Sequence, residues 1–239
     1  ICVNEISANN IFIKENINLE KSIKFYNDIN NLDGIFVELN VPSDASYVLI
    51  TSDADWSSES CLEFFCKKMS KYNIKPLIFA TNFSKILIKY FKENKIDIGI
   101  HPNFKFNSTQ GKNKKEILRN LLRIYPMAKI SRSHSFIDSY YIRNLLINNK
   151  IKFDSNILNH LCSGLKPVKF LNGITRYPVY WSDGMALLNT QKRIPLIKDL
   201  EINKRLIIAP GLKVLNIHTF NYSLNLPNLN EYKRNKKLT

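Results

Sequence analysis

Glycine is scarce in this chain. Seven occur in 239 residues, and the nearest pair, Gly164 and Gly173, stands nine residues apart. A G-x-G-x-x-G dinucleotide turn, a P-loop and a G-x-S-x-G nucleophile elbow are therefore excluded, since each needs closely spaced glycines. Long apolar runs are missing too: none reaches the roughly 18 residues of a membrane-spanning helix. The first ten residues already hold Asn4, Glu5, Asn9 and Asn10, so the basic and then continuously apolar stretches of a secretory leader are not there. The expectation is a cytoplasmic protein, although the chain begins with Ile1 rather than Met and an upstream start, with an address in it, stays open. Cysteine is sparse and unpatterned, with Cys2, Cys61, Cys66 and Cys162 forming neither C-x-x-C nor C-x-x-C-H. Cys61 and Cys66 fall on opposite sides of an apparent helix, which leaves reduced, mostly buried thiols as the expectation.

The residues that are present describe an ordinary globular chain, 44% hydrophobic and 23% charged, the size of one medium domain or a domain with an appendage. The net charge of +15 fits a nucleic-acid or anionic-surface partner, and equally a chain rich in Lys, Asn and Ile through coding bias. Basic residues gather modestly at Lys112, Lys114 and Lys115, and again at Lys233, Arg234, Lys236 and Lys237. No RRM, zinc-finger or helix-turn-helix pattern accompanies them, so no specific nucleic-acid partner is expected. Peripheral contact with an anionic membrane surface remains compatible with the charge.

From Tyr47 onward, strand-like and helix-like stretches alternate. Tyr47–Asp53 is apolar and β-branched, a buried strand. Ser57 or Ser58 can cap a helix in which Leu62, Phe65, Cys66 and Met69 form one apolar stripe. Strands over 74–81, 96–101 and 127–133 follow, separated by helices around Leu87–Asn94 and Lys114–Ile124. Asp138 is placed to cap a fourth helix carrying Tyr141, Ile142, Leu145 and Leu146, and Ile151–Asp154 starts a fifth repeat. Lys213–His218 reads as a closing strand. Four βα units in order imply a parallel sheet or a barrel over residues 47–239, with residues 1–46 an N-terminal extension of no assigned role.

In parallel α/β folds the reactive side chains collect at the C-terminal strand ends. Here those ends read Thr51-Ser52-Asp53-Ala54-Asp55-Trp56, Gly99-Ile100-His101-Pro102-Asn103-Phe104, Ser131-Arg132-Ser133-His134-Ser135 and Leu215-Asn216-Ile217-His218. Three of the four histidines lie at such ends; His160 is the exception and reads as structural or surface. Asp53 and Asp55 taken singly suit a turn or a helix cap. Together with three histidines on one rim they are a poor way to build a core, and they form a ligand set suited to zinc or a similar divalent ion.

These blocks resemble the polysaccharide deacetylases (NodB-homology, carbohydrate esterase family 4), and most closely the WbmS-like branch found with surface-polysaccharide gene clusters. The likeness spans about Tyr47 to Tyr232. It implies an α/β fold, a distorted seven-stranded (β/α) barrel, and a divalent metal, with zinc first and cobalt, nickel, manganese or iron as alternatives. The implied chemistry is hydrolysis of an acetyl group on a glycan or a lipid- or nucleotide-linked glycan precursor. By the same resemblance Asp53 is the general base, Asp55 and His101 are metal ligands, Arg132 orients the base, and His218 is the general acid. Asp183 matches a supporting acid loosely. Trp56, Asn103 and Trp181 stand beside motif residues as candidate substrate contacts.

Two departures from the family pattern bear on the site. The second metal histidine, four residues after the first in many members, is Lys105 here, and an ammonium has no lone pair to offer. The Arg-x-Pro-x-Tyr block is replaced by Arg132-Ser133-His134-Ser135-Phe136. Either His134 supplies the missing ligand or the metal site is degenerate. Two rival readings follow: a metal-dependent amidohydrolase acting on another C–N bond, and a barrel that binds carbohydrate without catalysis.

Overall fold

The alternation of β-branched and amphipathic stretches becomes a wound α/β domain. The computed structural model describes residues 46–192 and 210–237; the extension expected over 1–46, Ser46 apart, and Cys2 with it, lie outside the described residues. Strand β1 (Ser46–Asp53) leads to α1 (Glu59–Lys71), β2 (Leu77–Ala80), α2 (Lys85–Lys92), β3 (Asp97–Ile100), α3 (Lys114–Ile124), β4 (Ile130–Ser131), α4 (Tyr140–Asn148) and β5 (Phe153–Asp154). A hairpin of β6 (Val168–Lys169) and β7 (Thr175–Arg176) comes next, then β8 (Val179–Ser182), α5 (Asp183–Lys192), β9 (Gly211–His218), α6 (Thr219–Ser223) and α7 (Leu229–Lys236).

The helices start where short polar side chains can take up free backbone N–H groups. Ser58, Ser84, Asn113 and Ser139 each accept from the N–H three residues on, a contact that contributes about 1 kcal/mol per cap. Ser139 therefore caps α4, not Asp138. Asp138 is drawn away by the stronger pull of two guanidinium groups, Arg143 and Arg176. The stripe Leu62, Phe65, Cys66 and Met69 is buried as its spacing requires, and so are Ile117, Leu118 and Leu121 of α3. The three described cysteines are free, but Cys66 alone among them is fully buried, and Cys162 is exposed.

The described strands form one nine-stranded sheet in the order β6-β7-β5-β4-β3-β2-β1-β9-β8, parallel except for the β6–β7 pair. The count exceeds the seven expected because the β6–β7 hairpin adds two strands of two residues each. The sheet curls until its two sides meet. Beyond β5, the chain bonds to β8 at the far end of the order: Val179 N donates to Ile157 O, Asn159 N to Val179 O and Leu161 N to Tyr180 O, each at 2.8 Å. A second core gathers mostly strand side chains, Leu49, Phe79, Ile130, Phe153, Val179, Leu212 and Val214, with Tyr177 just before β8.

Gly99 on β3 lies beside Phe79 of β2 in the ladder. A Cβ at position 99 would lie 2.8 Å from Phe79 Cδ1 and 3.0 Å from Ile130 Cγ2, so the absent side chain is what admits the Phe79 ring. Gly99→Ala should therefore destabilise the protein by about 1–3 kcal/mol, as overpacking of a full core does. Urea unfolding measures it, and an unchanged midpoint would show that the ring yields freely.

Candidate active site

Single ladder bonds carry the backbone past the strand ends and into one rim. Ala54 N donates to Phe79 O (3.1 Å), His101 N to Ala80 O (2.8 Å), Arg132 N to Ile100 O (3.0 Å) and His134 N to Pro102 O (3.0 Å). The β4 ladder thus outlasts the strand itself, and extended backbone at Ser133 keeps Arg132 and His134 in alternate register before Ser135 turns left-handed at φ 57°. Gln110 braces the loop after β3, accepting from Asn103 N and donating to Thr81 O and His101 O.

Arg132 is wholly buried and has all five N–H donors matched. Nη1 donates to Asp53 Oδ1 (3.0 Å) and Asn216 Oδ1 (3.0 Å), Nη2 to Thr51 Oγ1 and Ser155 Oγ (2.9 Å each), and Nε to Ser155 O (3.2 Å). Its guanidinium stacks on Phe79, 4.2 Å from the ring centroid. Burial by itself would raise the pKa of Asp53; the charges of Arg132, His101 and His218 overcome it and hold the carboxyl below its ordinary value.

Asp55, in the turn after β1, faces two imidazoles. Its Oδ2 lies 2.9 Å from His101 Nε2 and 3.1 Å from His134 Nδ1. The two rings stand nearly perpendicular, at 86°, with centroids 5.7 Å apart. One donor atom from each of the three residues falls within 4.8 Å of the others. Burial pushes the Asp55 carboxyl up, and His101 and His134 pull it far below the usual carboxylate range. His101 is 2% exposed and is desolvated towards the neutral form, yet Asp55 and Asp53 raise its pKa on balance. Its Nδ1 has no hydrogen-bond partner and sits 3.8 Å from Asp53 Oδ1. This oxygen–nitrogen–nitrogen set fits a divalent ion by its chemistry, since a carboxylate and two imidazoles are donors that zinc and similar ions take. Lys105 is exposed, outside this cluster.

On the other side of Asp53, His218 Nε2 stands 3.8 Å from Oδ2. Asp183 grips this histidine twice, through Oδ1 to Nδ1 (2.6 Å) and through Oδ2 to the backbone N–H (2.9 Å), while Asn221 Nδ2 donates to Oδ2 (3.1 Å). Burial would lower the His218 pKa, but Asp183 and Asp53 push it up to about 9.

The structure thus brings together Asp53, Asp55, His101, Arg132, His134, Asp183 and His218. Asp183 engages His218, so both its oxygens are taken by protein donors. The proposed substrate contacts are more dispersed. Asn103 spends its side-chain oxygen on Lys105 N (3.1 Å). Trp56 is 46% exposed in a left-handed conformation (φ 59°), with the Lys236 ammonium 4.2 Å over its ring. Trp181 lies half-buried on β8, two residues before Asp183. Sequence reasoning passed over Thr51, Ser155, Gln110 and Asn216, although Thr51 and Asn216 both stand inside strand-end blocks already singled out. The signal for Thr51 and Asn216 is alternation: each is two residues from a titratable group, Asp53 or His218, on the same strand face.

Replacing Arg132 by Met should destabilise the protein by about 3–5 kcal/mol, because Asp53 would be left as an uncompensated buried charge. Adding Asp53→Asn to that variant should recover part of the loss. Chemical denaturation of the four proteins measures this, and strict additivity would mean that the pair does not interact.

The sequence matches the model of the WbmS-like polysaccharide deacetylases over residues 50–236. No protein of curated function matches. Among solved structures, a protein from Bordetella bronchiseptica assigned as a polysaccharide deacetylase involved in O-antigen biosynthesis superposes with a TM-score of 0.71 at 22% identity, covering 85% of this chain and 84% of the other. A polysaccharide deacetylase from Mycobacterium smegmatis gives 0.46 at 14% identity over 84% and 88% of the two chains. A family 4 carbohydrate esterase from Streptomyces lividans, solved with acetate, gives 0.40 at 13% identity over 77% and 85%. With most of its length matched by the family model, and its fold shared with the Bordetella protein, this chain belongs to the WbmS-like polysaccharide deacetylase family.

Proposed function

We propose that this protein is a metal-dependent deacetylase that hydrolyses an acetyl group on a glycan or glycan precursor, in surface-polysaccharide biosynthesis such as that of an O-antigen. The observation that carries the reading is the meeting of His134 with Asp55 and His101, which supplies a third donor where Lys105 has none to give. Of the rival readings, the binding-only barrel draws on Lys105, and the position of His134 beside Asp55 and His101 supports the metal-dependent reading over it. The WbmS-like family match and the Bordetella relative's assignment support the choice of acetyl ester or amide over another C–N bond and the O-antigen setting. Among the described residues no helix is long and apolar enough to cross a membrane. A cytoplasmic enzyme acting on a lipid- or nucleotide-linked precursor agrees with that, and the basic last turn of α7 suits an anionic carrier or surface.

Asp55, His101 and His134 would hold a divalent ion, whose chemistry there is to lower the pKa of a water towards about 7 and to polarise the acetyl carbonyl. Asp53, kept ionised by Arg132, takes the proton of the attacking water. His218, kept protonated by Asp183, gives a proton to the departing amine or alcohol. The two carboxylates differ in role because their neighbours differ: Asp53 is bound by guanidinium and amide N–H groups that cannot become ligands, whereas the imidazole nitrogens that meet Asp55 can give up a proton and turn a lone pair to a cation.

Purified protein should bind about one equivalent of zinc and release acetate from acetylated sugars. Asp55→Ala, His101→Ala and His134→Ala should each lose the metal, while Lys105→Ala keeps it; elemental analysis after gel filtration reads both. Full occupancy in His134→Ala would overturn the ligand set. The pH profile offers a separate check. A general acid with a pKa of about 9 is protonated below that value, so kcat/KM should fall as pH rises through about 9. Asp183→Asn removes the charge that raises it and should move that limb towards the ordinary histidine value near 6.5. A limb that stays in place would show that another group supplies the proton.

A further inference from the structure

Asp53 has two oxygens, and Arg132 holds one. The other is held by Asn216, to which the resemblance assigns no role. Asn216 Nδ2 donates to Asp53 Oδ2 at 2.9 Å, and Asn216 Oδ1 accepts from Arg132 Nη1 at 3.0 Å. Because Arg132 Nη1 also donates to Asp53 Oδ1, the three side chains close a ring. The orientation of the amide follows from its neighbours' chemistry. A guanidinium can donate and never accept, and an ionised carboxylate can accept and never donate, so oxygen must face Arg132 and nitrogen must face Asp53. Asn216 is 1% exposed, so neither contact competes with bulk water.

The sheet explains why this residue is there. β1 and β9 run parallel with Thr51 beside Asn216 and Asp53 beside His218. The two-residue pleat then turns Thr51, Asp53, Asn216 and His218 to one face. Asp at position 216 would accept from Arg132 but place a like charge against Asp53. Leu would fill the space and leave an N–H and a carboxylate oxygen unmatched. A carboxylate anchored at one oxygen can swing about its Cβ–Cγ bond; anchored at both, it presents a fixed plane to His218 and to the water it must deprotonate.

We infer that Asn216 is a positioning residue of the reaction, which fixes the plane of the Asp53 carboxylate together with Arg132. The inference rests on the reading of Asp53 as the general base. Asn216→Leu should lower kcat for acetate release by between about 10- and 100-fold, with KM within about twofold of wild type and the metal retained, because misplacing a reacting group costs on this scale. In an Asp53→Asn background the same change should cost nothing more, since the group that Asn216 positions is already disabled. A kcat equal to wild type, or losses that multiply in the double variant, would overturn the inference. Asn216→Asp repeats the test should the leucine variant not fold. Urea unfolding of the same four metal-free proteins gives the Asn216–Asp53 coupling directly, and a coupling of zero removes the contact on which the inference stands. A wild-type protein that releases no acetate defeats the proposed function instead, and leaves this coupling to judge Asn216 on its own.

Discussion

A guanidinium buried in the wall of a barrel is tolerable when nothing about it is left unmatched. Arg132 meets that condition with five donors directed at five contacts on β1, β9 and the segment after β5, and with its π face on Phe79. Water-to-interior transfer of such a charge costs several kcal/mol or more, and one neighbouring carboxylate rarely offsets that without further hydrogen bonds. The rest of the structure is arranged around this need. Thr51 and Asp53 come from one strand, Asn216 from its parallel neighbour, and Ser155 from the end of β5, so the network ties three strand ends to one side chain at the end of a fourth, β4. Phe79 can sit under the guanidinium because Gly99 has no Cβ to exclude it.

From that fixed point the rim divides into two electrostatic compartments two residues apart on the chain. On the inner side, Asp53 is stabilised as an anion by donors that cannot move. On the outer side, Asp55 is shared between the imidazoles of His101 and His134. His218 stands across from the first compartment with its proton secured by Asp183. Carboxylates and histidines of the same intrinsic chemistry thus meet different electrostatic surroundings through their neighbours alone, the kind of arrangement on which the proposed division into base, acid and ligand set depends.

Lys105 stands where many relatives have a histidine, and the proposed ligand set shows which constraint such a site would obey. A ligand set is defined by donor atoms converging on a point, and the chain position of each donor is secondary. β3 and β4 are adjacent, and the bond from His134 N to Pro102 O holds the two loops in step, so a histidine on either loop can reach Asp55. The side chain at 105 is then free to face solvent.

Much of this was readable from residue order. The βα alternation, the stripes of α1 and α3, the Ser58 cap of α1, and the gathering of Asp53, Asp55, His101, His134 and His218 at strand ends all follow from local pattern, which a chain carries in its own sequence. What tertiary structure decided depends on residues far apart. Asp138 lost the cap of α4 because Arg176, 38 residues on, competes for it. The closure of the sheet rests on bonds between 157–161 and β8 that no local pattern announces. The importance of Asn216 arises from its register against Thr51 and Asp53, 165 and 163 residues away, where an amide meets both a donor that cannot accept and an acceptor that cannot donate. Periodicity tells which face a side chain takes; the partner across the ladder is chosen by the fold.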